Sequence, residues 1–453
     1  MRLLLILSAS LWACTDPVNA PVTLVERDGV QPDGGATHVL SLTWRGFQVP
    51  TEGGESVLAI IRAPDGGGSA LRFRPSTRPA GNGGQLQQMS FERLDFGATS
   101  GPVVVPYLPA SWCAPSQQQD CPSSYSGAVT DPRVLSDGSL VVAVRFGSAS
   151  PPADFEKPQR LLRFSFDGGL LLNVAVEPER LTPPARHTVL NDGTYAVSYS
   201  RGAGFSSAGV AIELRAADDG ALRSTSNVDS AELADSGVGL VARATPLATR
   251  LVPLRDGGFL VVGHVDLSRD IACGTQNAPR PGGCGQSLSH AMLVKFDAQG
   301  KQVWRRDLGR DFEQPGSYFV DAAELEDGSL VATGHVERRT TEWLEPEHGS
   351  LVVRFSATGA IATATRFCPC TRFLRGGSFA LASNPRAVRG GGYELIFRDV
   401  EGVATAARFS ASDDLVASER LPRKSGTQQF TTTASGWAFF NEAELNHVEF
   451  LPR

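Results

Sequence analysis

This chain has little lysine, no basic stripe and no apolar segment of membrane-spanning length. Lysine occurs only at positions 157, 295, 301 and 424 of the 453 residues, so arginine supplies nearly all of the positive charge. The formal net charge is −6, with both signs mixed along the chain, and this distribution offers no footprint for nucleic acid. The apolar run at the N-terminus, residues 3–13, is about half of the ~20 residues that a bilayer span requires. The composition therefore argues against nucleic-acid binding and against a spanning helix at the N-terminus.

Sequence motifs of catalysis and metal binding are also missing. No G-x-S-x-G elbow, H-E-x-x-H helix or P-loop is present. The Asp-Gly pairs lack the alternating acidic spacing and closing glutamate of a calcium loop, and we interpret them as turn residues. We therefore predict no catalytic residue, no metal ligand and no cofactor.

The N-terminus has the layout of an export signal. Arg2 precedes the apolar run, and the polar segment Thr15-Asp16-Pro17 follows it at once. The run ends in Leu11-Trp12-Ala13-Cys14, which resembles the lipobox of bacterial lipoproteins. The resemblance implies that residues 1–13 are a signal peptide and that Cys14 carries the two or three acyl chains that stable membrane attachment requires.

The lipobox resemblance also implies a location. In enterobacterial lipoproteins an aspartate after the cysteine favours retention in the inner membrane, and Thr15 stands at that position. We expect a lipoprotein of the cell membrane, in the outer membrane of a Gram-negative bacterium. The alternative is ordinary secretion with cleavage after Val18-Asn19-Ala20, which would leave Cys14 in the discarded peptide.

The remaining cysteines agree with an oxidising compartment. Seven are present, and the six other than Cys14 form near pairs. The pairs are Cys113 with Cys121, Cys273 with Cys284, and Cys368 with Cys370. We predict disulfides for the first two, because the paired CxxC spacing of zinc sites is absent and no histidine lies close to a pair. Pairing of Cys368 with Cys370 stays open, since a bridge across one residue is strained and easily reduced.

The body of the chain repeats a hairpin pattern. Apolar runs flank a short turn at Asp137, Asp192, Asp256, Asp327 and Gly390, with a weaker copy at Ser435-Gly436. Aspartate and glycine can adopt the positive φ of a two-residue hairpin turn, so each copy predicts two antiparallel strands. A second hairpin follows five of these copies, at 160–176, 210–226, 292–308, 351–367 and 405–421.

Two hairpins make a four-stranded unit that recurs at roughly 45–70 residues, the length of a propeller blade. The sequence therefore predicts an all-β fold, a β-propeller of four-stranded antiparallel blades. A sandwich would not require the same unit five times, and solenoid coils are usually shorter and more uniform.

Both termini are expected to complete one blade. After Gly436 only the strand at 447–453 remains, and the segment 38–47 resembles the missing partner. Residues 56–112 are predicted to form a further blade, for a total of seven, with six or eight as alternatives. The predicted organisation is a signal peptide at 1–13, a tether at 14–37 and a propeller at 38–453.

The segment LVKFDAQGKQVW, within residues 292–304, resembles the propeller repeats of quinoprotein-like and related bacterial surface proteins. In those repeats a strand ends at a D-x-x-G-K turn followed by tryptophan. Quinoprotein dehydrogenases carry that tryptophan in most blades, a calcium-bound quinone and adjacent paired cysteines. Here only Trp304 holds the tryptophan position, and Cys368 and Cys370 are not adjacent. The resemblance implies the repeat geometry and does not extend to the cofactor.

Few residues are candidates for a site. His264 and His335 occupy matching GHV positions in successive units, which favours a repeated structural role over a metal pair. Trp343 and His348 lie in the segment 337–349 and are candidate binding residues. For Trp343, capping of a neighbouring loop is the competing role.

Loop lengths predict where binding occurs. Within a unit the tight turns all fall at one end of the strands, which we call the tight-turn face, and the long connections fall at the other, the long-loop face. Residues 266–290 and 337–349 are predicted to join second to third strands; 227–248, 309–318 and 368–384 are predicted to join blades. We expect a non-catalytic binding or scaffold module whose partner, a protein or glycan of the envelope, docks on the long-loop face. The alternative is a propeller enzyme, either a quinoprotein-like oxidoreductase or a hydrolase.

Overall fold

The computed structural model describes the strands of the chain and several of its turns. The described residues are 25–28, 45–48, 56–62, 68–79, 85–96, 103–108, 129–135, 137–145, 159–165, 167–176, 185–201, 209–229, 231–233, 242–269, 288–308, 316–338, 347–368, 381–398, 404–420, 428–433, 436–441 and 447–452. Their regular secondary structure is entirely β, as predicted. Among them no helix is present that could cross a bilayer.

Thirty strands are formed by the described residues. The first six are β1 Val25–Asp28, β2 Arg45–Gln48, β3 Ser56–Arg62, β4 Gly68–Pro79, β5 Gln85–Phe96 and β6 Val103–Leu108. The next eight are β7 Val129–Val134, β8 Leu140–Arg145, β9 Gln159–Phe164, β10 Leu170–Val176, β11 Arg186–Val189, β12 Tyr195–Arg201, β13 Gly209–Arg215 and β14 Leu222–Asp229. Nine more are β15 Ala231–Leu233, β16 Ala242–Pro253, β17 Phe259–Arg269, β18 Leu288–Phe296, β19 Gln302–Asp307, β20 Ser317–Glu324, β21 Leu330–Arg338, β22 Glu347–Phe355 and β23 Ile361–Cys368. The last seven are β24 Leu381–Ala387, β25 Tyr393–Arg398, β26 Ala404–Phe409, β27 Leu415–Arg420, β28 Gln428–Thr433, β29 Gly436–Asn441 and β30 His447–Pro452.

These strands form seven sheets, in each of which neighbours along the chain pair antiparallel. The sheets are β3 to β6, β7 to β10, β11 to β14, β15 to β19, β20 to β23 with β1, β24 to β27, and β28 to β30 with β2. The innermost long strands contact one another in the order β7, β11, β16, β20, β24, β28, β3 and back to β7. Four-stranded sheets around a closed ring of inner strands are the architecture of a β-propeller, so the predicted fold is confirmed. The total of seven blades remains a prediction for the whole chain.

Closure by both termini is also confirmed. Strand β2 pairs antiparallel with β30, with Arg45 opposite Phe450 and Gln48 opposite His447. The pairing places an N-terminal strand on the outer edge of the sheet that ends the chain. One sheet edge is thereby covered, and unpaired edges are the usual templates for aggregation.

One strand was not expected. Strand β1 lies within residues 14–37, the predicted tether, and pairs in parallel with β23, with Val25 beside Thr365 and Asp28 beside Cys368. Four residues with alternating charge gave no clear strand signal. The sheet of β20 to β23 therefore has an additional outermost strand.

The hairpin turns differ from the two-residue turns that the Asp-Gly pairs predicted. At the turn of Asp256, the backbone N–H of Leu254 donates to the carbonyl of Gly258 over 2.9 Å, so the loop between these two hydrogen-bonded residues has three residues. Only Gly257 in this turn has a positive φ, of 85°. Asp256 is not in the left-handed region, and its carboxylate accepts a 2.9 Å hydrogen bond from the Gly258 N–H. A three-residue loop with one left-handed glycine explains why the pair is Asp-Gly at these turns.

The core lies between the faces of neighbouring sheets. In one cluster Leu260, Val262 and Leu293 of one sheet pack against Phe319 and Phe355 of the next. Because of this packing of sheet on sheet, both faces of central strands such as β12 and β13 are buried, which accounts for the continuous apolar runs in the repeats.

Trp304 has a packing role between sheets. It is buried, its ring lies 6.4 Å from the ring of Phe355, and a Cβ at Gly359 would lie within 2.7 Å of the indole. The tryptophan after the D-x-x-G-K turn thus fixes its sheet to the outer turn of the next one.

Candidate functional site

Both segments singled out for binding join second strands to third strands. The strands extend further than predicted, because β17 ends at Arg269 and β18 begins at Leu288, while β21 ends at Arg338 and β22 begins at Glu347. The connections proper are therefore 270–287 and 339–346. Trp343 falls in the second connection, outside the described residues. His348 lies in β22, opposite Glu337.

The predicted cysteine sites fall mostly outside the described residues. This holds for Cys14, the lipidation site, and for the disulfide candidates Cys113, Cys121, Cys273, Cys284 and Cys370. Cys368 is the last residue of β23, where its backbone pairs with that of Asp28. The lipid anchor and the disulfides therefore stay predictions.

The glycine of the repeated GHV motif is required by the backbone that packs against it. Inner strands β16 and β20 each contain a bulge, after Ala248 and after Phe319 respectively. Beside each bulge a backbone carbonyl approaches the second strand closely: a Cβ at Gly263 would lie 1.9 Å from the Leu247 oxygen, and one at Gly334 would lie 2.0 Å from the Tyr318 oxygen. No side chain fits at that distance, so both positions require glycine.

The two histidines that follow these glycines flank a tyrosine. The ring of Tyr318, in β20, lies 6.0 Å from that of His264 in the preceding sheet and 5.2 Å from that of His335 in its own sheet. His335 is buried, whereas the His264 side chain remains 21% exposed. We call His264, Tyr318 and His335 the His-Tyr-His cluster. It joins two neighbouring sheets; His264 lies five residues before the end of β17 and His335 three residues before the end of β21, and residues 270–287 and 339–346 follow those ends.

His264 is the titratable centre of this cluster. Burial lowers its pKa, while the carboxylate of Asp266, with Oδ1 3.4 Å from Nε2, partly opposes that shift. The Nδ1 atom is buried and has no hydrogen-bond partner among the described residues. The imidazole is therefore neutral at pH 7 and presents one nitrogen to a carboxylate.

Histidine is concentrated at this end of the two sheets. Four of the seven histidines of the chain are His264, His290, His335 and His348. His290 lies opposite Val265 in the ladder of β17 and β18, one position from the partner of His264. Among the described residues, however, no group of three or more histidine, cysteine, aspartate or glutamate side chains could hold a metal ion.

Sequence reasoning missed Tyr318 and His290. Tyr318 aligns with Leu247 at the start of an inner strand, and nothing in that repeat pattern marks the tyrosine as a contact of the preceding sheet. His290 is the third residue of β18, the third strand of its unit. A polar residue next to the apolar run of that strand could have marked it as a candidate site residue.

Side chains of the inner strands are charged but locally paired. Arg250 of β16 forms an ion pair with the buried Asp321 of β20. Glu394, also buried, accepts from Arg408 and lies 3.0 Å from Nε of Arg386. The first pair joins the inner strands of two sheets, and the second group joins neighbouring strands within one sheet. These charged side chains therefore have a structural role.

Charged side chains of the tight-turn face are also paired within the fold. Asp137 accepts hydrogen bonds from the Ser139 hydroxyl and from Nη2 of Arg163, each over 2.6 Å, and Asp327 repeats the arrangement with Ser329 and Arg354. The serine hydroxyl is the main cause that lowers the pKa of Asp137, against opposing burial, and Arg163 adds to it. These carboxylates hold the turns together.

The first-hairpin turns of four sheets on this face are also hydrogen-bonded, each to the next. Nδ2 of Asn191 donates to the carbonyls of Leu254 and Arg255 over 3.1 and 3.2 Å. The guanidinium of Arg255 in turn donates to the carbonyls of Leu325 and Glu326, each over 3.2 Å. A carboxylate oxygen of Glu326 accepts from the N–H of Gly390 over 2.8 Å. Four consecutive sheets are thus linked turn to turn.

No family model matches the sequence, and no curated protein matches it. Among solved structures, the chain is similar to Drosophila Semaphorin 2a, with 8% identity over 90% of this chain and 74% of that chain and a TM-score of 0.45. It is also similar to the β-propeller domain of the Trilobed protease from Pyrococcus furiosus, with 7% identity over 86% and 95% and a TM-score of 0.40. A protein of unknown function from Dyadobacter fermentans DSM 18053 shows 12% identity over 71% and 93%, with a TM-score of 0.38.

Proposed function

We propose that this protein is an exported, lipid-anchored propeller of seven blades that binds a protein or glycan of the cell envelope through its long-loop face, without catalysing a reaction. Its anchor is the acylated Cys14, at the end of the lipobox-like segment Leu11-Trp12-Ala13-Cys14.

The observation that carries this proposal is the contrast between the two ends of the described sheets. At the tight-turn end, three-residue loops recur and successive turns are hydrogen-bonded to one another through Asn191, Arg255 and Glu326. At the other end several connections are longer, among them 270–287 and 339–346, although 399–403 is short. Recognition residues tend to lie on variable loops that a rigid scaffold positions.

The His-Tyr-His cluster supports a binding role at this end. The partly exposed rings of His264 and Tyr318 offer apolar faces together with hydrogen-bonding atoms, which suits recognition of a peptide or a sugar, while the buried His335 packs against Tyr318. Asp266 is the acid beside the cluster. Trp343 and His348, in and beside the connection 339–346, are the further candidate contacts.

Two measurements on the full-length chain test the proposal. For the anchor, Cys14→Ala should move the protein from the membrane fraction to a soluble fraction. A mutant that stays with the membranes to the same extent as the wild type would rule out the lipid.

For the partner, wild-type protein should capture one envelope component in stoichiometric amount. Detection of bound quinone or calcium in purified protein would favour the enzymatic alternative instead.

A further inference from the structure

Strand β1 follows the predicted lipid anchor in the chain, and its pairing with β23 fixes its direction relative to the sheet. Strand β23 begins after the tight turn at Ser356 and Gly359 and runs toward the long-loop end of its sheet. Because β1 pairs with β23 in parallel, β1 runs the same way. The N-terminal end of β1, at Val25 beside Thr365 halfway along β23, therefore faces the tight-turn end of the sheet.

The connection between anchor and sheet is short. Ten residues, 15–24, separate Cys14 from Val25. Eleven Cα steps of at most ~3.6 Å reach no further than about 40 Å, and an eight-residue strand such as β23 is itself about 26 Å long. A membrane-bound lipid on Cys14 consequently keeps the outer edge of this sheet close to the bilayer.

A second, independent feature lies at the same end of the strands. The exposed large apolar side chains among the described residues are Leu170, Leu171, Leu222, Val303 and Val416. Every one of them is the first or second residue of an outermost strand, directly after the tight turn between the third and fourth strands. Four different sheets thus place an exposed apolar side chain at the rim of the tight-turn face.

We propose that β1 acts as a latch that orients the propeller on its membrane, with the tight-turn face and its apolar rim toward the lipid surface and the long-loop face directed away from it. This proposal rests on the proposed function, because it requires the lipid on Cys14. It explains what a short tether attached to the edge of one sheet does: it presents the binding face to partners.

The surface that contacts the apolar rim is a lipid surface of low net charge. Several carboxylates of the tight-turn face are neutralised within the fold, as in the pairs Asp137 with Arg163, Asp256 with Lys295, and Asp327 with Arg354. Others, such as Asp167 and Asp414, are exposed in the second-hairpin turns. Such a face suits a zwitterionic surface better than an anionic one.

Strand β14 supplies a matched pair of reporter positions. Leu222 is its first residue, at the tight-turn end, and Asp229 is its last, at the long-loop end; both are exposed. Single variants Leu222→Cys and Asp229→Cys of the lipidated full chain, each labelled with a fluorophore, are bound to phosphatidylcholine vesicles that contain a headgroup-labelled lipid quencher. We expect several-fold stronger quenching of the label at Leu222.

The latch itself is tested by replacing Val25–Asp28 with Gly-Ser-Gly-Ser. The difference between the two reporter positions should then disappear, whereas the same replacement at residues 29–32, a control of equal length outside β1, should preserve it. The melting midpoint of each variant shows that the propeller remains folded.

The outcomes separate the two proposals. If the wild-type protein does not float with the vesicles, the lipid anchor of the proposed function is wrong, and the orientation with it. If the protein floats but both labels are quenched alike, or the label at Asp229 is quenched more, the orientation is overturned while the anchor stands. A difference that survives replacement of β1 would overturn the latch.

Discussion

Arg250 of β16 forms an ion pair with Asp321 of β20, which joins the inner strands of two neighbouring sheets. The Asp321 side chain is 6% exposed, so water stabilises its carboxylate less than it would at the surface, and the ion pair with Arg250 matters more. Oδ1 of Asp321 also accepts a hydrogen bond of 2.9 Å from the N–H of Ala322. The pair lies directly beside the bulges that create the GHV glycines.

Removal of one member of this pair should therefore destabilise the protein. Arg250→Met leaves the Asp321 carboxylate buried without that cation, and we expect a loss of about 2 kcal/mol in unfolding free energy, less than for a wholly buried pair because Arg250 is partly exposed. The measurement is denaturant unfolding. The double variant Arg250→Met with Asp321→Leu should recover part of the loss; losses that simply add would show that the two residues do not act as a pair.

Gly334→Ala tests the close approach at the bulge of β20. A Cβ there would meet the backbone oxygen of Tyr318 at 2.0 Å, and a backbone atom cannot move aside as a side chain can. We expect destabilisation of about 2 kcal/mol or more, measured as a lower melting midpoint. Gly169→Ala is the control, because its Cβ would meet side-chain atoms, which can move: the hydroxyl of Ser165 at 2.9 Å and a carboxylate oxygen of Asp167 at 3.7 Å. Equal effects of the two substitutions would contradict the bulge argument.

The repeats could be predicted from the sequence because each hairpin carries its own local signal. Asp137, Asp256 and Asp327 mark turns whose geometry depends only on neighbouring residues, and the strands on both sides follow from their apolar runs. The exact loop length could not be read from the Asp-Gly pair alone, since two-residue and three-residue hairpins share that composition.

The site was predicted only in part, because its contacts are made between sheets. The matching positions of His264 and His335 are visible in the repeat, but the contact of His264 with Tyr318 depends on how one sheet packs on the next. Strand β1 was missed for a similar reason: its pairing with β23 spans most of the chain, and four residues of mixed charge carry no periodic signal.

Burial of His264 predicts a loss of stability at mildly acidic pH. Its folded-state pKa lies below the value near 6.5 of the unfolded chain, so the unfolded state binds more protons as the pH falls through that value. Its contribution to stability is complete above ~pH 6.5 and declines as the pH falls below it. The melting midpoint should therefore drop more between about pH 7.5 and about pH 5.5 in the wild type than in His264→Gln. Asp266, Tyr318, His290 and His335 are common to both proteins, so an equal drop would show that His264 is not responsible.

The carboxylates of the tight turns predict a separate acid transition. The pKa values of Asp137 and Asp327 are lowered from 3.8, mainly by the hydroxyls of Ser139 and Ser329, so their stabilising effect is present above that value and is lost below it. Asp137→Asn should weaken the dependence of the melting midpoint on pH below ~4 without changing it near pH 6. A changed profile near pH 6 would contradict this assignment.

The predicted disulfides can be tested by thiol labelling. We expect no free thiol at Cys113, Cys121, Cys273 or Cys284 in protein isolated without reductant, because an exported chain with paired nearby cysteines is oxidised. Mass spectrometry after alkylation, before and after reduction, gives the pairing and also shows whether Cys368 and Cys370 are joined. Labelling of the first four positions in native protein would count against both bridges.

The most direct test of the account compares the two ends of the propeller in one binding assay. Replacement of residues 270–287 and 339–346 by short Gly-Ser linkers should abolish capture of the envelope partner, because it removes the long connections that follow the strands of His264 and His335. The control variants Asp192→Asn and Asp327→Asn alter the opposite end and should bind as the wild type does. Binding that survives loss of both long connections but fails in the turn variants would contradict the account and place the binding site on the tight-turn face.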